Sequence, residues 1–125
     1  MVPPAAIICL LDDEPSVLKA VGRLLASEGL QSLKFSEPAR FLEYALRHSV
    51  RLAVIDIQMP GMTGLEVMNE LRASSPGTRI IIVTGESDPR HRGTALARGA
   101  SAFFHKPFGD EAFLHAVREA LGHLA

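Results

Sequence analysis

Three aspartates stand at the ends of apolar runs in the sequence. Asp12 and Asp13 follow the run Ala6–Leu11, and Asp56 lies at the end of the run Leu52–Ile57. Carboxylates that a fold brings together repel, and at least one of them must take up a proton unless a cation joins them. Oxygen ligands on a small rigid site suit Mg²⁺ (or Mn²⁺), and Mg²⁺ keeps waters and phosphate oxygens in its octahedron. The three aspartates therefore predict a metal site.

A hydroxyl and an amine end two later apolar runs, at Thr84 and Lys106. A metal, a lysine and a hydroxyl around one carboxylate can stabilise the equatorial oxygens of a phosphoryl group that moves in line. Carboxylates that form aspartyl phosphates are an established class of nucleophile. Asp56 is the natural nucleophile because it is the lone carboxylate on its strand, whereas Asp12 and Asp13 form a pair suited to holding metal.

The elements that must bring these side chains together are strands and helices in alternation. Strands are predicted over 6–11, 30–35, 52–57, 79–84 and 101–106, and helices over 12–29, 36–47, 64–74, 87–98 and 110–123. This alternation predicts an α/β, doubly wound fold, a parallel sheet wrapped by helices on both faces. In such a sheet, ligands bind outside the carboxyl ends of the strands, where the candidate residues lie.

Two finer features follow from the same patterns. The alternating segment 30–35 predicts a strand at the edge of the sheet. In the second helix, a stripe of apolar residues predicts the buried face: Phe41, Leu42, Ala45 and Leu46.

Composition limits the classes of function. The 125 residues have a formal net charge of −1, and 22% are charged, as expected of a globular domain. No basic stripe is interleaved with aromatics, so we expect no direct nucleic-acid binding by this domain. Cys9 is the single cysteine and lies in an apolar run, which predicts a buried structural thiol. With no apolar run near ~20 residues, we expect no membrane association and a cytoplasmic location.

Four short segments together carry a family resemblance. They are Leu10–Glu14 (LLDDE), Asp56–Gly64 (DIQMPGMTG), Val83–Gly85 (VTG) and Gly99–Phe108 (GASAFFHKPF). In this order and spacing they resemble the receiver domain of two-component response regulators, the CheY-like superfamily. The resemblance implies a flavodoxin-like three-layer (βα)5 sandwich with strand order 2-1-3-4-5. It covers nearly the whole chain and implies one receiver domain over residues 1–125, structured from about 6 to 123.

The resemblance also implies roles for the acidic residues. Asp56 would accept a phosphoryl group from a sensor histidine kinase or a phosphotransfer protein, and would itself help to bind Mg²⁺. Asp13 would bind the metal directly and Asp12 largely through water. Gln58 would offer its backbone carbonyl, so its side chain need not be acidic.

The remaining family positions concern switching. The resemblance implies that Thr84 and Lys106 contact the phosphoryl oxygens and that the Lys106–Pro107 peptide is cis. Phe103 matches the aromatic switch position, which moves inward when Thr84 moves toward the phosphoryl group. It lacks the hydroxyl of tyrosine, so a switch here must work by packing alone.

Two further positions concern the lifetime of the phosphoryl group. Gln58 lies two residues past Asp56, and Glu86 lies two residues past Thr84. In the family, these positions flank the route of an attacking water. The resemblance therefore implies that they help to set how long the phosphoryl group lasts.

Other readings of the same residues remain open. Asp12 and Asp13 alone are also typical of helix N-caps, and Phe103 alone is typical of a core residue. A small phosphatase of the haloacid dehalogenase type shares a nucleophilic aspartate, lysine, hydroxyl and Mg²⁺. That class usually carries a second acid two residues after the nucleophile, where this chain has Gln58. A pseudo-receiver that docks partners without phosphorylation is the third reading.

We expect a signalling domain that is not a multiple-turnover enzyme and only gains and slowly loses its own phosphoryl group. The family resemblance also implies a possible homodimer through the face made by the fourth helix, fifth strand and fifth helix. Nothing in the sequence indicates an output module within these 125 residues.

Overall fold

The computed structural model describes residues 7–85 and 89–122. The strands are β1 (Ile8–Leu11), β2 (Ser32–Phe35), β3 (Leu52–Asp56), β4 (Arg79–Thr84) and β5 (Ala102–His105). The helices are α1 (Pro15–Ser27), α2 (Pro38–Arg47), α3 (Gly64–Ser74), α4 (Pro89–Ala97) and α5 (Asp110–Ala120). The alternation predicted from the sequence is therefore confirmed.

All neighbouring strands are parallel, in the order β2-β1-β3-β4-β5. The central strands β1 and β3 are fully buried, and β4 is buried after its first residue. The outer strands β2 and β5 have no fully buried residue. This confirms the doubly wound fold, the strand order and the placement of β2 at an edge.

Each face of the sheet has its own hydrophobic core, because successive strand residues point to opposite faces. On one face, Cys9, Leu11, Ile55 and Ile82 pack with α2, α3 and Ala95 of α4. The free Cys9 thiol is fully buried, and burial raises its pKa to about 12, so it stays protonated as a structural residue.

On the opposite face the sheet packs against α1 and α5. The residues that form this second core include Leu10, Val54, Leu25, Phe113 and Val117. The strands thus lie between two helical layers, which is the three-layer arrangement implied by the family resemblance.

The helix and strand limits differ from the sequence predictions in a few places. Helix α1 begins at Pro15, so Asp12 and Asp13 lie in the loop before it and neither is its N-cap, which is Glu14. The predicted buried face of α2 is correct for Phe41 and Ala45 but wrong for Leu46, which is 68% exposed. Leu46 follows the buried Ala45 directly, and the helical turn carries it past the stripe that faces the sheet.

Some predictions fall outside the described residues. These are the start of the first strand at Ala6, the start of the fourth helix at Ser87, the end of the last helix at His123, and Glu86. Within residues 7–85 and 89–122, no helix has the length and apolar character needed to cross a membrane.

Gly64 sets how closely α3 approaches the end of β3. A Cβ atom at this position would lie 2.8 Å from the Ile57 Cα and even closer to the Asp56 carbonyl oxygen. The Gly64 N–H donates to the Ile57 carbonyl oxygen at 2.9 Å, which ties the helix start to the strand end. Because the opposing atoms are backbone, a side chain at position 64 must displace the segment that follows Asp56.

We predict that Gly64→Ala lowers the free energy of unfolding by about 1–3 kcal/mol, as overpacking does in tight cores. Urea unfolding of both variants measures the difference. Gly93→Ala is the matched control, because Gly93 lies in α4 with open space around its Cα. Alanine there should leave stability unchanged or raise it by up to about 1 kcal/mol. Equal effects of the two substitutions would contradict this account of Gly64.

Candidate functional site

The site lies at the carboxyl ends of β1 and β3, which are adjacent in the sheet. Leu11 pairs with Ile55, so the residues that follow, Asp12 and Asp56, stand side by side. Their exposed fractions are 3% and 2%. The Asp12 N–H donates to the Phe35 carbonyl oxygen at 3.1 Å, which holds the loop after β1 against β2. Two carboxylates are thereby held close together and away from water.

Four acidic side chains converge at this place. Asp12, Asp13, Glu14 and Asp56 each offer a carboxylate oxygen, and these oxygens all lie within 4.8 Å of one another. Asp13 and Glu14 are exposed, whereas Asp12 and Asp56 are buried. A set of hard oxygen donors that is open on one side fits Mg²⁺, which retains water or phosphate oxygens beside its carboxylate ligands.

Lys106 partly balances this negative charge. Its Nζ atom donates to Asp12 Oδ2 at 2.7 Å and lies 3.6 Å from both Asp56 Oδ2 and Glu14 Oε1. The side chain is only 16% exposed. Lys106 directly follows β5. Its N–H donates to the Thr84 carbonyl oxygen at 2.7 Å, which holds the backbone of residue 106 beside the end of β4. The following peptide, Lys106–Pro107, is cis.

Charge and burial shift the protonation of the two central groups. Burial and the neighbouring Asp12 raise the pKa of Asp56 to about 6, although Lys106 and the Gln58 N–H oppose the shift. For Lys106, burial alone would lower the pKa, but the hydrogen bond to Asp12 and the surrounding carboxylates outweigh it and raise the pKa. Lys106 is therefore charged at neutral pH, and ionisation of Asp56 in the folded chain costs free energy.

Backbone hydrogen bonds orient the carboxylates. The Gln58 N–H donates to Asp56 Oδ1 at 3.3 Å, and the Glu14 N–H donates to Asp12 Oδ1 at 3.0 Å. Gln58 itself is exposed. A capping box closes the loop, because the Glu66 N–H donates to Thr63 Oγ1 and the Thr63 N–H donates to Glu66 Oε1.

The predicted switch residues lie on the next two strands. Asp56 pairs with Val83, so Thr84 is one residue further along β4, and it is 1% exposed. Phe103 is half-buried on β5 beside Ile82. Lys106 thus contacts Asp12 and Asp56, Asp13 lies within 4.8 Å of both carboxylates, and Thr84 is on the adjoining strand end.

The comparisons with known proteins identify the family. A sequence profile described as the response regulator receiver domain matches residues 8–118. This chain belongs to the response regulator receiver domain family. Receiver domains generally bind Mg²⁺ at an acidic pocket, and this chain has an acidic cluster at the carboxyl ends of β1 and β3.

Two curated proteins illustrate the similarity of this receiver domain to longer regulators. It is 34% identical over 123 residues to the transcriptional regulatory protein FixJ of Azorhizobium caulinodans, covering 98% of this chain and 58% of FixJ. It is 37% identical over 117 residues to the response regulator protein TodT of Pseudomonas putida, covering 94% and 52%. The chain thus spans about half the length of these relatives.

Solved structures agree in fold. A response regulator receiver protein from Burkholderia phymatum has a TM-score of 0.84 at 33% identity, covering 96% of this chain and 98% of that one. A CheY-like receiver domain protein from Methanospirillum hungatei has a TM-score of 0.87 at 26% identity, with 94% of each chain covered.

Sequence reasoning missed two features of the receiver site. Glu14 joins the acidic cluster, although it was not among the predicted ligands; its place beside Asp12 and Asp13 was the available signal. His91 on α4, to which the sequence analysis assigns no role, is partly buried and lines a pocket with Asp13 and Gln58. No local pattern signalled that contact, because it joins segments far apart in the chain.

The raised pKa of Asp56 predicts a pH-dependent stability. The folded chain binds this proton more tightly than the unfolded chain, whose aspartate pKa is near 3.8. Asp56 therefore makes the folded chain less stable as pH rises from about 4 to 6, and the loss persists above pH 6. With a chelator present, Asp56→Asn should raise the free energy of unfolding by about 1–3 kcal/mol at pH 8 and by much less at pH 4.

Chemical unfolding at the two pH values measures this gain. Asp13→Asn is the control, because Asp13 belongs to the same acidic cluster but is exposed, and its gain should be smaller. An effect of Asp56→Asn that is the same at both pH values would contradict the electrostatic account.

Proposed function

We propose that this receiver domain accepts a phosphoryl group on Asp56 from a histidine kinase or a phosphotransfer protein. One observation carries the proposal: a buried carboxylate lies beside a metal-binding set of acids and 3.6 Å from the Lys106 amine. The Asp56 carboxylate is the member of the set that ends a central strand, so the fold holds it rigidly. A nucleophile that must meet an in-line phosphoryl group needs such fixed geometry.

In the proposed reaction, an Asp56 carboxylate oxygen forms a bond to phosphorus. The bond from phosphorus to the donor's imidazole nitrogen breaks, and the nitrogen keeps the electron pair. Asp12, Asp13, Asp56 and the Gln58 backbone carbonyl would hold Mg²⁺. When bound, Mg²⁺ supplies positive charge to the phosphoryl oxygens and relieves the repulsion among the carboxylates.

Lys106 and Thr84 contribute on the other side of the phosphoryl group. The Lys106 ammonium, already within 3.6 Å of Asp56, would pair with a phosphoryl oxygen. The Thr84 hydroxyl would donate to another oxygen, and its movement would draw the Phe103 ring inward. Gln58 and Glu86 would regulate the access of water and hence the lifetime of the acyl phosphate.

The proposed domain is not a multiple-turnover enzyme. A phosphatase that works through an aspartyl phosphate needs an acid to protonate the leaving group, and position 58 is glutamine. Phosphorylation therefore modifies the domain itself, and its consequence is a shift between two conformations with different partner surfaces.

Partners follow from the same proposal. The phosphodonor would dock over the groove between α1 and the segment after β5, because this groove leads from apolar α1 residues such as Val17 and Leu24 to Lys106 and Phe108. The face of α4, β5 and α5 would serve a homodimer. Because the named relatives are about twice as long, any contact with nucleic acid would belong to a further domain. We also propose that the domain acts in the cytoplasm, where a histidine kinase would present its phosphoryl group.

We predict that acetyl phosphate or phosphoramidate with Mg²⁺ adds one phosphoryl group to the wild-type chain. Intact-mass spectrometry measures the addition. Asp56→Asn should abolish it, because the amide is not a nucleophile. Asp110→Asn is the control, since Asp110 is an exposed aspartate at the start of α5, and it should be phosphorylated like the wild type.

A wild-type chain that stays unmodified, while another receiver domain reacts in the same tube, would contradict the proposal. So would sustained hydrolysis of small phosphomonoesters at many turnovers per chain, because that result would identify a phosphatase. Mg²⁺ should also raise the melting temperature of the wild type more than that of Asp56→Asn.

A further inference from the structure

Helix α4 buries little of its surface. Among its residues Pro89–Ala97, only Ala95 is buried, and Gly93 interrupts the middle of the helix with open space around it. Glycine in a helix interior is destabilising, and a helix with one buried residue gains little from packing. Burial of apolar side chains therefore contributes little to fixing α4, and its polar side-chain contacts matter more for its position.

One of those contacts is made by Arg92 to Phe103. The Arg92 guanidinium carbon lies 6.0 Å from the centroid of the Phe103 ring. The same side chain donates from Nη1 to the Phe103 carbonyl oxygen at 3.4 Å. Arg92 thus contacts both the ring and the backbone of one β5 residue, a pairing that the planar, forked guanidinium permits.

The Phe103 ring lies at a margin of the core, where the loss of a few contacts would let it change position. The ring packs at the margin of the core that contains Ile82 and Ala95, and it remains half-buried. It is two residues from His105, which pairs with Thr84 in the sheet. A ring at a core margin can move inward without unfolding its strand, provided that its outer contacts are released.

We propose that Arg92 is a positioning residue that holds Phe103 in its half-buried position and thereby ties α4 to the state of the phosphorylation site. The inference rests on the proposed function, in which Phe103 moves inward on phosphorylation. The cation–π contact stabilises the outer position of the ring and is given up when the ring moves, whereas the hydrogen bond to the Phe103 backbone carbonyl holds Arg92 beside the ring. Arg92 therefore opposes activation, and its contacts with Phe103 link that movement to the exposed face of α4.

The consequence is a population shift. Removing Arg92 takes away stabilisation of the outer position alone, so a larger fraction of molecules adopts the inward position before any phosphoryl group is bound. A ligand that selects the inward position then binds more tightly by the same factor. From the strength of exposed cation–π contacts, we expect a factor of about two to five.

The experiment compares Arg92→Ala, Arg92→Lys and the wild type as full chains labelled with 4-fluorophenylalanine. Phe103→Leu identifies the Phe103 signal among the six phenylalanines. Fluorine NMR is recorded with and without Mg²⁺ and beryllofluoride, a mimic of the phosphoryl group. Without beryllofluoride, the Phe103 signal of Arg92→Ala should move toward the position that the wild type reaches only with it.

Titration with beryllofluoride gives a second readout. The affinity of the chain for beryllofluoride should be about two- to fivefold higher in Arg92→Ala than in the wild type. Arg92→Lys should restore part of the wild-type behaviour, because lysine keeps the cation but not the fork that reaches the carbonyl. Arg98→Ala is the matched control: Arg98 follows α4 directly, is exposed and bonds to Asn69 instead, so its loss should change neither readout.

A double variant shows whether Arg92 acts through the ring. In a Phe103→Leu background the aromatic contact is gone, so Arg92→Ala should change beryllofluoride affinity by less than half as much as it does with Phe103 present. An undiminished effect would overturn the proposal, because it would place the action of Arg92 elsewhere.

The outcomes separate this inference from the proposed function. If Asp56 is phosphorylated and beryllofluoride moves the Phe103 signal, but Arg92→Ala leaves the signal and the affinity unchanged, only the role of Arg92 is overturned. If Asp56 is not phosphorylated, the proposed function fails. If Asp56 reacts but the Phe103 signal never moves, Phe103 is not the switch and the inference fails with it.

Discussion

The arrangement of the molecule depends on negative charge gathered at one edge of the sheet. Asp12 and Asp56 are both almost fully buried, and two carboxylates in such a place repel each other and lose hydration. Lys106 offsets part of this cost with its 2.7 Å bond to Asp12, yet the pKa of Asp56 remains raised to about 6. The negative charge of the site is therefore not fully neutralised by Lys106. A divalent cation and the electropositive phosphorus of a donor can both interact favourably with it.

The fold keeps this costly arrangement in place by making the strands beneath it rigid. Strands β1 and β3 are buried along their whole length and pack on both faces against separate cores. The strand ends cannot move apart without exposing apolar surface on two sides. In contrast, α4 buries only Ala95 among its residues Pro89–Ala97. A rigid centre beside a helix with little buried surface fits the proposal that a phosphoryl group received at the strand ends changes a surface elsewhere.

Much of the site could be predicted from the sequence because its residues follow strands whose pattern is plain. The apolar runs before Asp12, Asp56 and Thr84 predict both the strands and the edge of the sheet at which these side chains lie. The limits of the helices were harder to predict. The prediction that Leu46 is buried is wrong because apolar character alone does not show where a helix turns away from its sheet.

Contacts between distant segments could not be predicted in this way. Lys106 meets Asp12 across 94 positions of sequence, and only the order of the strands brings them together. The contact between Arg92 and Phe103 depends on how α4 lies on β5, which no periodicity describes. The family resemblance implies the switch role proposed for Phe103, whereas the arginine beside it emerged only from the structure.

The central claim is that Asp56 carries the phosphoryl group, and locating the modified residue tests it most directly. The chain is treated with a small phosphodonor and Mg²⁺, then reduced with borohydride, which converts an aspartyl phosphate into homoserine. Digestion and mass spectrometry locate the converted residue. We predict homoserine at position 56 in the phosphorylated fraction. Conversion at another aspartate, or phosphate retained on a serine, threonine or histidine, would contradict the account.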